Sequence, residues 1–366
     1  MKTGAALFHA IDRPFEVAEI EIEDPGPEDV LIRVSACGIC GTDLHVVKGE
    51  WTRSVPMVLG HECAGIVEAV GPDVDGVAAG DRVVVSWASS CRTCAACRKG
   101  RLAACRDLRA AIAAGTLIGG ATRLSWNGDP VYRMTTVGGF AEHVLMPATS
   151  VLPLPGDVAL EEAAIVGCAA LTGVGAAVNA APLQDGGTAL VVGAGGIGQF
   201  VVQGARIAGA SEIVVVDPVE ERRALARQLG ATEAVSPAEL DALAGDRFPV
   251  GFDCTFDAVG GAETAAMALK HTMIAGTAVL VGLPAAGGRL DLDLADIVVS
   301  EKHVVGSIYG SADPGTMLPT LLDWVRAGDL ELASLIGARY PLAEVNEAVQ
   351  ESLAGSPGRV VLTLQE

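Results

Sequence analysis

Aromatic side chains make up only 4% of this 366-residue chain, and its 25 Lys and Arg are outnumbered by 45 Asp and Glu. The net charge of −20 argues against nucleic acid or an anionic membrane as a partner, since both are bound through an excess of cations. Such an acid excess speaks to solubility rather than to fold. No stretch reaches the roughly 18 uninterrupted apolar residues of a membrane span. The opening MKTGAALFHAIDRPFEV is broken by Asp12, Arg13 and Pro14, so it reads as neither a span nor a signal h-region. Internal repeats and low-complexity linkers are lacking too. A soluble, cytoplasmic protein is expected.

Apolar residues are abundant, at 50% with a mean hydropathy of +0.42. At roughly 100–200 residues per domain, that material suits two cores. Up to about residue 155 the chain reads as short β segments such as EDVLIRVSACGICGTD, CAGIVEAVG and GDRVVVS, with turn residues at their ends and no sustained helical period. Around VLPLPGDVALEEAAIVGCAALTGVGAAV the character changes, and Asp157 is placed to cap an alanine-rich helix. TALVVGAGGIG, QFVVQGARIAGA, EIVVVD and VEERRALARQLGA then alternate strand with helix, and FDCTFDAVG and GTAVLVGLP follow as further strands. Short buried strands alternating with helices mean βαβ units and a parallel sheet. LPTLLDWVRAGDL and LAEVNEAVQESLAG read as amphipathic helices, and RVVLTL as a closing strand.

Nine cysteines stand against the general scarcity of reactive side chains, and four lie within fifteen residues, CRTCAACRKGRLAAC from Cys91 to Cys105. A disulfide cluster, a redox pair and a metal site are all open on this spacing. A reducing compartment shifts the weight towards metal ligands or catalytic groups.

In TALVVGAGGIG, Gly193, Gly195 and Gly198 form G-x-G-x-x-G directly after a strand and at the mouth of a helix. The first glycine permits the tight turn, the second the approach of a pyrophosphate, the third close helix–strand contact; the helix N-terminus supplies donors. Asp217 ends the next strand, where an acid accepts ribose hydroxyls and repels a 2′-phosphate. NAD is therefore expected over NADP, although Arg222 and Arg223 follow closely. A second constellation is Cys40 in GICGTDLH, with Thr42, Asp43 and His45, and then His61 and Glu62 in GHE. Thiolate and imidazole suit zinc, and a catalytic zinc takes three protein ligands plus an open position. Singly, such residues are more often structural.

GHECAGIVEAVGPDV, with Gly60, His61, Glu62, Gly65 and Gly71, resembles the zinc signature of medium-chain zinc-dependent alcohol dehydrogenases. The resemblance continues through CGICGTDLH, the four-cysteine lobe, Gly167–Cys168 and the dinucleotide fingerprint, over essentially the whole chain. It implies an α/β architecture: a β-rich GroES-like catalytic domain, residues 1–169 and 309–366, and a Rossmann doubly wound parallel-sheet cofactor domain, residues 170–308. Two Zn²⁺ per chain are implied, a catalytic one on Cys40, His61 and Cys168 and a structural one on Cys91, Cys94, Cys97 and Cys105. Arg92, Arg98, Lys99 and Arg101 would partly balance the four thiolates. Four thiolates close a tetrahedral site and leave no place for substrate, so the conspicuous cluster is not where chemistry is expected. Cys168, where polyol dehydrogenases usually carry a carboxylate, favours the alcohol dehydrogenase branch.

Catalytic roles follow by the same resemblance. Thr42 accepts the alcohol proton and passes it through the nicotinamide ribose to His45. Asp43 buttresses His61, and Glu62 is the acid beneath the metal. The implied cofactor set is Thr172, Gly193, Gly195, Gly196, Ile197, Gly198, Asp217, Arg222, Val281, Gly282 and Leu283, with Arg359 on the pyrophosphate. Gly41 departs from relatives that place Arg or His there on the cofactor phosphate, which removes one charge-assisted contact. The long segment from Asp107 to Phe140 reads as loops.

Trp51 and Trp87 stand where relatives line the substrate cleft; the plainer reading is two core indoles. Lining by indoles suits a primary alcohol or aldehyde with an aromatic or bulky apolar body. The expected activity is NAD-linked alcohol/aldehyde oxidoreduction, with a small-molecule partner and a homodimer or homotetramer as the assembly. Alternatives are a formaldehyde dehydrogenase acting on a thiol adduct, and a biosynthetic tailoring enzyme or binding protein with no net oxidation.

Overall fold

A computed structural model describes residues 1–364. The chain divides into two compact units: Met1–Cys168, Asp313–Pro319 and Leu332 onward form the first, Ala169–Ala312 and Thr320–Glu331 the second. This corrects the expected boundaries, which placed residue 169 and residues 309–312 and 320–331 in the first unit. The physical reason lies at the end of that last segment. Gln203, fully buried, brackets residue 331 with its amide, donating to the Glu331 carbonyl at 3.0 Å and accepting from its N–H at 2.7 Å. The helix Pro314–Ala327 changes unit at Pro319.

In the first unit the β signal of the sequence forms two sheets, of six and seven strands. The seven-stranded sheet carries the site. Its antiparallel strands Asp29–Gly38 and Glu62–Val70 pair in register, with Cys37 opposite Cys63 and Gly38 opposite Glu62. The closing strand Arg359–Thr363 pairs with the other edge of Asp29–Gly38. Two helices interrupt this β framework where none was expected: Gly41–Val47 and Arg106–Ala114. The second lies in the segment read as loops. Its Leu108 and Ala111 are buried, so three residues of apolar spacing sufficed where the window was too short to show a period. In the same segment Asn127-Gly128 joins two short strands, Leu124–Trp126 and Asp129–Pro130.

The second unit holds six parallel strands in the order Glu233–Val235, Glu212–Val216, Thr188–Val192, Phe252–Asp257, Thr272–Leu280, His303–Gly306. In chain order this is 3-2-1-4-5-6, the doubly wound dinucleotide arrangement. Leu190, Val192, Val214, Val216 and Phe252 form its core with Phe248, whose ring lies 4.4 Å from that of Phe252.

The apolar run Leu160–Ala180 is one 21-residue helix, with 78% of its most apolar window buried inside the protein. Asp157 does not cap it: Ala159 is the N-cap residue, without a side-chain bond, and Glu161 and Glu162 supply the negative charge of the first turn. The helix widens to π geometry at Val166–Ala170 and again at Ala176–Ala180. Such widened turns occur mostly at functional sites, and the first of them contains Cys168.

Candidate metal centres and cofactor site

Cys40 leaves the end of one strand as the N-cap residue of the helix Gly41–Val47, and His61 precedes the partner strand. Antiparallel pairing therefore brings two residues twenty-one positions apart to one end of the sheet. Asp43, 1% exposed, fixes them there. Its Oδ2 accepts from the Cys40 N–H and its Oδ1 from the Gly60 N–H, each at 3.0 Å, and Oδ1 lies 3.4 Å from His61 Nδ1. Gly60 has φ +85°, and a Cβ there would fall 2.4 Å from the Phe140 ring, so no larger residue fits this turn. Gly167 brings in the third element. A Cβ on it would meet Val84 and the Val85 carbonyl within 3 Å, and this close approach seats Cys168 against the sheet.

Cys40, His61, Glu62 and Cys168 are all buried, and one ligand atom from each lies within 4.8 Å of every other. A hydrogen bond from Cys168 holds the Cys40 thiol well below its usual range, while the same contact and burial push Cys168 well above it. Burial alone would lower His61, but Asp43 and Cys40 outweigh it and raise the imidazole well above its usual value. Burial pushes Glu62 up to about 8 against the pull of Arg359. Both Glu62 carboxylate oxygens are buried without a hydrogen-bond partner. A thiolate, a carboxylate and an imidazole that favours positive charge make a spot that a divalent cation suits, and two sulfurs with one nitrogen select zinc. Arg359 lies with Nε 3.1 Å from Glu62 Oε2 and donates to the Ile39 carbonyl at 3.3 Å. It is thus seated beneath the ligand group, a place its expected pyrophosphate contact did not disclose.

The second cluster fits zinc by distance. Sγ separations are 4.0 Å for Cys91–Cys97, 3.5 Å for Cys94–Cys97 and 3.5 Å for Cys105–Cys91. Tetrahedral Zn–S bonds of about 2.3 Å require edges of roughly 3.8 Å, whereas a disulfide requires about 2.05 Å. All nine cysteines are free thiols. Backbone N–H groups of Cys97 and Arg106 lower Cys94 to about 6, and burial raises Cys97 to about 12. The basic side chains do less than expected: Arg98 donates to the Thr93 carbonyl and Arg92 lies 3.9 Å from Asp313. Backbone donors stabilise the thiolate instead.

In the second unit, Gly193 takes φ +92° at the end of its strand and Gly195 is the N-cap residue of the helix Gly196–Ile207. A Cβ on Gly198 would lie 1.8 Å from the Gly193 carbonyl oxygen, which is the close contact the third glycine exists for. Asp217, 3% exposed, accepts from the Ala194 and Val219 N–H groups at 2.8 and 2.9 Å. Arg222 Nη1 lies 3.9 Å from its Oδ2, and Arg223 donates to its carbonyl at 2.6 Å. Thr172 sits on the helix Leu171–Gly175, where Gly173 approaches the Ile197 carbonyl. Val281 and Gly282 both donate to the Asp257 carbonyl, at 2.9 and 2.8 Å, and Leu283 is 39% exposed. A Cβ on Gly41 would meet nothing within 4 Å, so a larger side chain would fit there.

Around the first metal group, Thr42 Oγ1 lies 3.6 Å from Cys40 Sγ. The His45 ring stacks on Trp51 with centroids 4.5 Å apart and planes 15° from parallel. Trp87 is 7% exposed and accepts at its carbonyl from Thr136 Oγ1. Sequence reasoning missed Glu50, whose carboxylate bonds to His45 Nδ1. The only signal was an acid five residues after the histidine, beside Trp51.

Zinc analysis by plasma emission should find two zinc per chain. Cys97→Ser should lose one of them and lower Tm. Cys40→Ser should lose the other while keeping the far-UV spectrum, and should cut turnover by about 10²-fold or more. Finding one zinc or none in the wild-type protein would contradict these ligand sets.

Two family models match the chain: the alcohol dehydrogenase GroES-like domain over residues 26–156 and the zinc-binding dehydrogenase domain over residues 196–327. The NDMA-dependent alcohol dehydrogenase of Amycolatopsis methanolica is 37% identical, over 99% of each chain. S-(hydroxymethyl)glutathione dehydrogenase of Escherichia coli is 32% identical, over 99% of this chain and all of that one. Among solved structures, benzyl alcohol dehydrogenase from Acinetobacter calcoaceticus superposes with a TM-score of 0.94 at 29% identity, over all of both chains. With both domains matched and the ligand groups assembled, the chain belongs to the zinc-dependent medium-chain alcohol dehydrogenases.

Proposed function

We propose that this alcohol dehydrogenase transfers hydride between NAD and a primary alcohol or aldehyde whose body is aromatic or bulky and apolar. The observation that carries the substrate reading is an indole stacked on His45, with a second indole on the chain that leaves Val85. Trp51 stacks on His45. Trp87 follows by two residues Val85, whose carbonyl abuts Gly167 next to Cys168. Indoles at both positions provide flat apolar surface for a planar ring. The benzyl alcohol dehydrogenase fold match agrees with this reading. The relative that acts on S-(hydroxymethyl)glutathione favours a second one, oxidation of a thiol adduct of formaldehyde.

Zinc held by Cys40, His61 and Cys168 would act as a Lewis acid on the alcohol oxygen, and bound NAD would accept the hydride. The chain's own groups do the rest. Asp43 holds His61 with Nδ1 turned to its carboxylate, leaving Nε2 for the metal. Thr42 Oγ1 accepts the alcohol proton beside Cys40, and His45 holds the departing proton on its ring. Arg359 keeps a compensating positive charge against Glu62. Asp217 accepts the adenosine ribose hydroxyls, and its negative charge disfavours a 2′-phosphate.

We also infer a second copy of the chain as the partner. The strand His303–Gly306 ends the parallel sheet. The preceding helix, Leu294–Val299, buries none of its residues and leaves Val298 and Val299 74% and 82% exposed. Ile274 is 67% exposed, next to Ala275, which donates to the Ser300 carbonyl. Two such edges related by a two-fold axis would pair and cover this apolar strip.

Three measurements test these readings. The ratio kcat/KM for benzyl-type alcohols should exceed that for ethanol and polyols; a clear polyol preference would sink the aromatic reading, and strict dependence on added thiol would install the formaldehyde one. Asp217→Ala should raise KM for NAD and narrow the NAD over NADP preference by about 10-fold or more, the worth of one or two hydrogen bonds to a charged group. In sedimentation, the wild-type chain should run as a dimer or tetramer and Val299→Asp as a smaller species; a wild-type monomer would refute the assembly.

A further inference from the structure

The helix Gly41–Val47 ends at Lys48, and Gly49 with φ +72° turns the chain back over its last turn. The Trp51 N–H bonds to the His45 carbonyl at 3.1 Å and closes this reversal. The turn delivers two side chains to one imidazole. Glu50 bonds to Nδ1, and the Trp51 indole lies flat against the ring. Arg53 lies over Trp51, 5.3 Å from its centroid. The His45 and Glu50 side chains are 20% and 33% exposed, so the pair leads from the interior to solvent.

From this geometry we propose that Glu50 is a positioning residue for His45: it fixes the Nδ1–H tautomer, directs Nε2 to receive the proton released by alcohol oxidation, and passes that proton to solvent. The proposal rests on the alcohol dehydrogenase reading. A carboxylate at Nδ1 accepts the N–H of that nitrogen and leaves Nε2 as the free acceptor on the ring. Stacking on Trp51 restrains the ring flip that would put Cδ2 in place of Nδ1 and Cε1 in place of Nε2. No bond is made or broken beyond proton transfer: Nε2 gains one proton and Nδ1 gives one up through Glu50 to water. Before the next turnover Nδ1 is reprotonated from water through Glu50 and Nε2 releases its proton to solvent, which restores the Nδ1–H tautomer with a net release of one proton. Of the charged residues nearby, Lys48 is the C-cap residue of the helix and Arg53 lies over the Trp51 ring. Asp43, on the same helix, is occupied by the Cys40 and Gly60 amides.

The test compares Glu50→Gln, which keeps an acceptor and removes the charge, with Glu50→Ala, which removes both, in the zinc-loaded protein. Long-range proton–nitrogen NMR on ¹⁵N-histidine protein, with His45→Gln for assignment, should show His45 as the Nδ1–H tautomer in wild type and Glu50→Gln, and as a mixture in Glu50→Ala. Single-turnover NADH formation from benzyl alcohol should fall roughly tenfold in Glu50→Gln near neutral pH, with the deficit closing in alkali where hydroxide takes the proton. Alcohol KM, zinc content and Tm should stay at wild-type values. A wild-type Nε2–H tautomer, or a Glu50→Gln rate equal to wild type at every pH, would overturn the proposal. Should the wild-type enzyme form no NADH with any alcohol, the activity reading fails by itself, and the tautomer measurement still decides whether Glu50 sets the ring.

Discussion

One buried carboxylate holds the catalytic unit's chemistry together. Asp43 accepts from the amide of Cys40 and from the amide of Gly60, and faces the ring of His61. It therefore ties the exit of one strand to the entry of its neighbour at the point where both present a metal ligand. The sheet register alone would bring the two ends together, but backbone hydrogen bonds do not fix which way an imidazole turns. The bonds to Asp43 are charge-assisted and out of water, where such contacts are stronger and a missing partner costs more. A fully buried anion with only two amides would still be expensive; the neighbouring positive charge, on His61 or on a bound cation, offsets it.

The local motifs were the legible part of the sequence, because their chemistry depends on neighbours in the chain. The four cysteines, the G-x-G-x-x-G turn and Asp217 each declare a function within about thirty residues. The alternation of strands and helices after residue 188 likewise declared the parallel sheet. What stayed hidden depends on contacts between distant segments. Arg359 against Glu62 joins residues almost three hundred positions apart. The clamp of Gln203 on residue 331 redraws the unit boundary. The helix Arg106–Ala114 was too short for its period to outweigh the turn residues after it, and Ala159 takes the place of Asp157 as the cap because Asp157 lies in a turn and Val158 in a bend before the helix begins. Cys168 was reached only by resemblance, since nothing in GC marks a helix about to widen into π geometry.

The histidines show the same division. No local motif marks His143, whose ring in the fold lies 3.0 Å from Thr3 Oγ1 and 2.9 Å from Glu68 Oε2, linking three strands. Its partners are 140 and 75 positions away. Glu50 is a different failure. It is close to His45 in sequence, and the obstacle was that an acid five residues on falls outside the three- and four-residue spacing at which helical side chains meet. Only the helix-ending turn at Gly49 makes that spacing productive.

Two kinds of charge are thus kept apart around one ligand group. Beneath it, the buried Glu62 faces Arg359, whose side chain is 10% exposed. Were a zinc ion held there by two thiolates, their charges would balance its own, and the tolerance of the pocket for a further negative oxygen would rest on that pair and Asp43. Protonating Glu62, whose carboxyl burial has raised to about 8, would leave the pocket less negative by one charge without moving any ligand. Towards solvent, His45 and Glu50 are partly exposed, the pair to which the proposal gives proton transfer. The helix Gly41–Val47 spans both regions: its first turn holds Asp43 and orders the metal ligands, and its last turn holds His45. A seven-residue helix is too short to be stable by itself, so its end turns must be supplied by the groups it serves. The Asp43 bonds fix its start and the His45–Trp51 contacts fix its end, which makes metal positioning and proton delivery two consequences of the same local folding event.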